Sequence, residues 1–126
     1  MSAHSDKTSI GTLYERLAGN YLHQRGHRLM AANFRCRLGE IDLITQDPQG
    51  YLVFVEVRYR ASERFGGALA SVSAKKQTRL RRAAQTYLAA NPRFHSRRCR
   101  FDVIAISDSS DSKAENNINW IKSAFY

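Results

Sequence analysis

The chain has 126 residues and a formal net charge of +9 at pH 7. This length allows one domain with a hydrophobic core and is too short for two. No apolar run approaches transmembrane length, and the N-terminal segment lacks the apolar stretch of a signal peptide, so the sequence predicts a cytoplasmic protein without a membrane partner. Cys36 and Cys99 are not spaced as metal ligands and are expected to be reduced thiols.

The N-terminal half of the chain predicts one helix followed by three strands. Residues 1–10 are polar and are expected to be frayed, and residues 11–126 are predicted to form a single domain. Helical spacing of apolar residues predicts a helix over residues 11–25 that stops at Gly26. Its apolar stripe consists of Leu13, Leu17, Ala18, Tyr21 and Leu22. Strands are predicted over residues 27–35, 40–45 and 51–60, with a Pro–Gly turn at 47–50.

The C-terminal half predicts a helix, a strand and a short ending. Residues 61–67 are predicted to be a loop, and Ser71 or Ser73 is expected to cap a helix over residues 74–90. The apolar stripe of this helix is predicted to consist of Leu80, Ala83, Ala84, Tyr87 and Leu88. A strand follows at 100–107, then a polar, disordered loop at 108–117. Residues 118–126 are predicted to form a short strand that runs into a terminal turn or helix. This order of elements predicts an α/β fold, with a mixed central sheet flanked by helices.

Positive charge is concentrated in one part of the chain. Residues 74–100 contain nine Lys or Arg and no Asp or Glu. A basic stripe of this density is typical of proteins that bind a polyanion, most often nucleic acid. The alternative is a helix face that is merely solvated.

Charged residues also alternate along the predicted hairpin, "GEIDLITQDPQGYLVFVEVRYR". With the turn near Gln49, the two-residue period places Ile41 and Leu43 on one face of the first strand. On the opposite face it predicts three cross-strand pairs: Ile44 with Phe54, Asp42 with Glu56, and Glu40 with Arg58. Facing carboxylates destabilise a sheet, so a shared proton, Arg58 or a divalent cation must offset them. A structural charge network at a wet sheet edge is equally compatible with this spacing.

The sequence also gives expectations for one further acidic residue, for the histidines and for several aromatic residues. Glu15 is at the margin of the first helix's apolar stripe, where its side chain would face a cleft beside the helix. The histidines form no ligand pattern and are expected at the surface: His4, His23, His27 and His95. Several aromatic residues are expected to pack in a core or under a loop, although some of them could stack on bases: Phe34, Tyr59, Phe65 and Trp120.

The motif order resembles a known group of nucleases. Asp42 followed by Glu56-Val57-Arg58 resembles the PD-(D/E)xK signature of restriction-endonuclease-like nucleases. More closely, "GTLYERLAGNYLHQRGHRLMAANFRCRLGEIDLI", "LVFVEVRYR", "SVSAKKQTRLRRAAQTYL" and "CRFDVIAI" resemble the YraN-like family of uncharacterised bacterial proteins, over nearly all of residues 11–106. This family is similar in motif order to archaeal Holliday-junction resolvases.

The resemblance implies a restriction-endonuclease-like fold, hydrolysis of structured or branched DNA with magnesium or manganese, and a homodimer. Asp42 and Glu56 would be metal ligands, the Val57 carbonyl a third, and Glu15 the helix-borne acid that approaches the metal. The residues expected to contact nucleic acid are Arg60, Lys75, Lys76, Gln77, Arg79, Arg82, Arg97, Arg98 and Arg100.

The chain departs from the signature at Arg58, which stands where the signature has lysine. Arginine stays protonated, so it can supply a fixed positive charge but not general-base catalysis. The alternative function is therefore a catalytically inactive nucleic-acid-binding protein with the same fold, and RNA stays open as a partner. A small interaction protein is a third class.

Overall fold

The computed structural model describes residues 5–60, 72–107 and 118–126. The helices and strands, in chain order, are α1 (Ser5–His23), β1 (Arg28–Cys36), β2 (Gly39–Gln46), β3 (Leu52–Arg60), α2 (Ala74–Ala90), a 3-10 helix (Pro92–Phe94), β4 (Cys99–Ser107) and β5 (Ile118–Phe125). Within these ranges no helix is long and apolar enough to cross a membrane. Cys36 and Cys99 are free thiols, as predicted.

The five strands form one mixed sheet in the order β1-β2-β3-β4-β5. The β3–β4 pair is parallel, and the other three pairs are antiparallel. A parallel pair needs a crossover connection, and α2 lies in that connection. The predicted α/β fold, with a mixed central sheet flanked by helices, is confirmed.

The sheet separates two apolar clusters, one under each helix. The α2 side includes Ile44, Phe54, Leu80 and Ala83, and the α1 side includes Ala18, Leu22, Leu43, Val55 and Ile104. The apolar stripe of α2 follows the predicted spacing, and its buried residues are Leu80, Ala83, Ala84 and Tyr87. β3 and β4 contribute to both clusters, because a central strand with a helix on each side is buried on both faces.

Three predictions about the elements differ from the structure. α1 begins at Ser5 rather than at residue 11. Leu13 was placed in its apolar stripe but is 53% exposed, because the buried part of the helix is confined to its later turns. The C-terminal segment is one continuous strand, β5, because it pairs with β4 from Ile118 to Phe125. The predicted loops at 61–67 and 108–117 lie outside the described residues, as do His4, Phe65 and Ser71.

The start of β2 breaks the regular alternation. Ile41 packs on the α2 side and Leu43 on the α1 side, so the prediction that they share a face is wrong. On the neighbouring β1, Asn33 adopts a left-handed conformation with φ 54°, and the pairing shifts between Leu29 and Ala31. These irregularities on β1 accompany the break in alternation, which leaves Asp42 between oppositely directed neighbours.

Gly39 explains why helix α2 can lie close to this part of the sheet. A Cβ at Gly39 would collide with the backbone carbonyl oxygen of Arg79. The absence of a side chain at the first residue of β2 therefore permits the helix to approach it. Ser73 begins the helix, and its hydroxyl accepts a hydrogen bond from the Lys76 amide at 3.1 Å. This cap fixes the first turn of α2, which carries Lys75 and Lys76.

Candidate functional site

A cavity of about 300 Å³ opens where β2 and β3 emerge between the two helices. Its walls include Glu15 from α1, Asp42 from β2, Glu56 and Arg58 from β3, and Lys76 from α2. Four elements that are separate in the sequence thus bring four acidic side chains, with Glu40 as the fourth, and two basic side chains to one place. The predicted catalytic residues are all among them.

Asp42 and Glu56 form the centre of this cavity. The β2–β3 register pairs Ile44 with Phe54, as predicted, and continues to Leu43 with Val55. At the next step, Asp42 Oδ2 accepts a hydrogen bond from the Val57 amide at 2.8 Å. Both carboxyl groups line the cavity, close enough for the Glu56 charge to act on Asp42. The adjacent carboxyl groups predicted from the strand period therefore meet at the end of the paired stretch.

The electrostatic environment changes the acidity of Asp42. Its burial and the neighbouring Glu56 charge raise the pKa of Asp42 to about 8, against the opposing effect of the Val57 amide. A proton therefore stays on the pair at neutral pH in the metal-free protein. A shared proton is one of the three ways, expected from the sequence, in which the repulsion between the two carboxylates can be offset.

Glu15 reaches the same cavity from α1, as its position at the margin of the helix predicted. Burial raises the pKa of Glu15, while a hydrogen bond from the Asn33 side chain and the Arg35 charge oppose that rise. Asn33, the left-handed residue of β1, thus lies beside the helix-borne acid. Glu40 is different, because its side chain is 61% exposed and lies 3.9 Å from Arg35.

Two cations contact Glu56. Lys76 Nζ lies 3.1 Å from Glu56 Oε2, whereas Arg58 lies 3.5 Å from the same oxygen. The Glu56 side chain is 6% exposed and that of Lys76 is 41% exposed, so the lysine extends from the surface into the cavity. The sequence assigned Lys76 only to the phosphate-binding surface. Its distance from the carboxylate also makes it a member of the site.

The carboxylate pair fits a hard divalent cation in its donor chemistry. Magnesium is usually bound through one or two carboxylates and several waters, and it accepts backbone carbonyl oxygens. No cluster of three or more His, Cys, Asp or Glu side chains arranged for a metal occurs within residues 5–60, 72–107 and 118–126. A metal here would therefore depend on Asp42 and Glu56, with the remaining ligands from backbone and water.

The basic face of α2 leads into this site. A second cavity, of about 410 Å³, shares Glu40, Glu56 and Lys76 with the first and is also lined by Lys75 and Arg79. Lys75, Arg79 and Arg82 are exposed. The first two turns of α2 therefore place positive side chains beside the carboxylate pair.

The remaining predicted contact residues are elsewhere. Gln77 donates its side-chain amide to the Val72 carbonyl at 3.1 Å, which braces the start of α2. Arg97 and Arg98 bond to the β2–β3 turn region, through Gly50 and the Tyr51 hydroxyl respectively. That region lies at the other end of β3, about 13 Å from Glu56 at the rise of a strand. The side chain of Arg60 lies outside the described residues.

Arg100 belongs to an internal network. Its guanidinium donates to Asp47 at 2.7 Å and to Asp102 at 3.0 Å, and Asp102 is completely buried. The Trp120 indole and the Ser123 amide also donate to Asp102. Because its charge is already paired, we exclude Arg100 from the predicted phosphate-binding surface. An Arg two residues before an Asp in an apolar strand was the sequence signal for this network.

His27 corrects the prediction that the histidines lie at the surface. It is 4% exposed, and its Nδ1 shares a hydrogen bond with the Thr45 hydroxyl at 2.8 Å. Burial and the Arg100 charge lower the pKa of His27. The preceding turn at Gly26, with φ 89°, directs the chain so that His27 packs at the start of the sheet. His23 and His95 are exposed, as predicted.

The uncharacterised protein family UPF0102 matches residues 14–106 of this chain. The chain belongs to this family. A UPF0102 protein of Nitrosococcus oceani is 47% identical over 124 residues, which cover 98% of this chain and 94% of that protein. UPF0102 proteins of Alcanivorax borkumensis and Stutzerimonas stutzeri are 47% and 45% identical, over 95% and 96% of this chain and 94% and 98% of those proteins. The resemblance to the YraN-like family is thereby confirmed.

Proposed function

We propose that this UPF0102 protein is a metal-dependent nuclease that hydrolyses phosphodiesters in structured or branched DNA. The observation that carries the proposal is the pairing of Asp42 with Glu56 in a cavity bordered by the basic face of α2. Two adjacent carboxylates on neighbouring interior strands are a costly arrangement for a sheet, and titratable groups with strongly shifted pKa values cluster at functional sites. Membership of the PD-(D/E)xK superfamily is part of this proposal.

Asp42, Glu56 and the Val57 carbonyl would hold a magnesium or manganese ion. When bound, such an ion supplies an acidified water and neutralises charge on the phosphate. In the hydrolysis, the water oxygen forms a bond to phosphorus, one P–O ester bond breaks, and the leaving alcohol takes up a proton. A homodimer would present two such sites.

The cations of the cavity and of α2 would have separate roles in the proposed hydrolysis. Lys76 and Arg58, which both contact Glu56, would offset the negative charge that develops on the phosphate. Lysine can release its proton and arginine cannot, so Lys76 supplies the chemistry that Arg58 lacks at the signature position. Lys75, Arg79 and Arg82 would hold neighbouring phosphates, which gives affinity and position rather than sequence selectivity.

The second candidate is a nucleic-acid-binding protein without cleavage activity. Arg58 in place of the signature lysine is the observation that favours it. The two functions share the basic surface and differ only in the chemistry of the cavity. Cleavage is therefore the measurement that separates them.

The experiment measures cleavage of duplex, flap, single-stranded and four-way DNA with magnesium or manganese. Asp42→Asn and Glu56→Gln are expected to abolish cleavage and reduce metal binding in calorimetry, while circular dichroism stays unchanged. Glu40→Gln is the matched control, because it removes one exposed carboxylate from the same cavity wall, and it should retain both properties. Absence of wild-type cleavage on every substrate, with DNA binding intact, would favour the binding-only function.

A further inference from the structure

Two tyrosines form an aromatic wall at the carboxylate cavity. The rings of Tyr14 on α1 and Tyr59 on β3 are stacked, with centroids 4.7 Å apart and an interplanar angle of 21°. Both residues line the cavity that contains Asp42 and Glu56. The sequence favoured a core position for Tyr59, but it is 42% exposed. A large aromatic residue is therefore accessible to solvent beside the candidate site.

The position of Tyr59 near the end of β3 explains why its side chain is exposed. Tyr59 follows Val53, Val55 and Val57 on the α1 face of β3, but it lies beyond the buried part of that face. Tyr14 is in the middle of α1, one turn before the buried Ala18, and is partly buried against the α1-side cluster. The pair thus lies at the margin of that cluster, where it borders the cavity.

We propose that this wall is a stacking site for an unpaired nucleobase next to the phosphate that is cleaved. The inference rests on the proposed function, and it narrows the substrate to DNA with an unpaired nucleotide. Aromatic side chains stack on bases without selecting their identity, because every base has a π-face. In a continuous duplex the base faces are covered by their neighbours, so only an unstacked or extruded base can present a face to the tyrosines.

The charges around the wall agree with this assignment. Lys76 and Arg58 line the same cavity and can take the phosphate that follows a stacked base. Glu15, Asp42 and Glu56 line it too, so a base on the wall brings its phosphodiester towards the carboxylates rather than onto the outer face of α2. Aromatic and basic groups together form the pattern of single-strand-binding grooves.

The test uses full-length protein in EDTA, so that binding is measured without cleavage. The probes are a short DNA duplex with one central unpaired thymidine, the same duplex with an abasic residue there, and the fully paired duplex. The wild type should bind the thymidine probe about 5- to 150-fold more tightly than the abasic probe, the range that base–aromatic stacking gives.

Tyr59→Leu keeps an apolar contact with Tyr14 but removes the aromatic face, and it should bind the thymidine and abasic probes equally. Tyr59→Phe should discriminate as the wild type does. Tyr126→Ala is the control for removal of an exposed tyrosine, because Tyr126 is 92% exposed, and it should also discriminate normally.

Three outcomes would overturn the stacking site. These are equal wild-type binding of the thymidine and abasic probes, undiminished discrimination by Tyr59→Leu, and no binding of any probe. The first two leave the proposed nuclease standing, provided that magnesium-dependent cleavage is found. The third, together with absence of cleavage, removes both proposals.

Discussion

At the scale of single residues, the Asp42 carboxyl group is subject to opposing influences. Burial and Glu56 favour its protonated form, while the Val57 amide favours the carboxylate. The first two effects dominate, so the metal-free site keeps a proton that an isolated aspartic acid would lose. Lys76 and Arg58 contact the other carboxyl group, that of Glu56. The pair therefore consists of one acid that retains a proton and one that lies beside two cations.

The raised pKa of Asp42 predicts a pH dependence of stability. Below its ordinary value of 3.8 both the folded and the unfolded chain hold the proton, and the full stabilisation is present. As pH rises towards about 8, the unfolded chain releases the proton while the folded chain keeps it, so stability falls. Asp42→Asn does not titrate there. Its free energy of unfolding relative to wild type should rise across this pH range.

Urea unfolding in EDTA at several pH values measures this difference. Groups outside the cavity, such as His27, are common to both proteins, so the difference reports Asp42 and the carboxyl groups that interact with it. A difference between the two proteins that is constant across the range would contradict the assignment of a raised pKa to this residue.

Lys76 gives a second prediction at this scale. Lys76→Ala should lower the cleavage rate by about a hundredfold, the cost of removing one charge-stabilising group. Lys75→Ala removes the adjacent exposed lysine and should have a small effect. Lys76→Arg should restore cleavage if Lys76 acts as a fixed cation, and should not if it exchanges a proton. Equal rates for Lys76→Ala and Lys75→Ala would remove Lys76 from the site.

At the scale of elements, α2 connects the core to the site. Its buried stripe packs on the sheet, Gly39 permits its close approach, and its first turns carry Lys75, Lys76 and Arg79. The same helix therefore determines both the packing of β2 and the position of the cations. Arg97 and Arg98, although continuous with α2 in the basic stripe, lie at the opposite end of β3.

The separation between the cations of α2 and those at the opposite end of β3 predicts how DNA binding depends on salt. Arg79→Ala with Arg82→Ala should flatten the slope of log affinity against log salt by about 0.9 for each phosphate that the protein no longer neutralises. The matched control removes the same number of charges from the far end, as Arg97→Ala with Arg98→Ala, and should leave the slope near that of the wild type. Filter binding at several salt concentrations checks this. Equal slopes for both double variants would mean that α2 is not the binding surface.

The sequence predicted the elements and the carboxylate pair because both follow from local periods. The two-residue strand period placed Ile44 opposite Phe54, and the helical period gave the stripe of α2. The sequence could not predict the direction of the Lys76 side chain, since that depends on how α2 crosses the sheet. The predicted face of Ile41 was wrong, because the break in alternation on β2 accompanies irregularities on a different strand. The burial of His27 likewise depends on the Gly26 turn.

At the scale of the whole molecule, two groups of acidic side chains in the same sheet have different partners. On β4, the buried Asp102 accepts hydrogen bonds from Arg100, Trp120 and Ser123. At the site, the two carboxyl groups are close to one another, and both cations contact Glu56. The first arrangement is typical of a structural network, and the second of a site with a function.

The structural network gives a prediction for stability. Asp102→Ala should destabilise the fold by about 3–5 kcal/mol, because it removes a buried carboxylate from the partly buried guanidinium of Arg100 and from two other N–H donors. Glu40→Ala breaks an exposed contact with Arg35 and should cost no more than about 1 kcal/mol. Chemical denaturation measures both. Similar costs for the two variants would contradict the structural role of the network.

The parallel pairing of β3 with β4 has a consequence for the order in which the chain folds. Asp42 and Glu56 are joined by a short hairpin, whereas Leu52 must meet Cys99 across a much longer stretch of chain. Closing a longer loop costs more entropy, so contacts within the hairpin are favoured to form first. The acids would then meet before the crossover helix brings Lys76 to them. At that stage Arg58, on the same strand as Glu56, is already present but Lys76 is not, so a proton on Asp42 would relieve the remaining repulsion. We therefore expect mild acid to accelerate refolding of the wild type but not of Asp42→Asn.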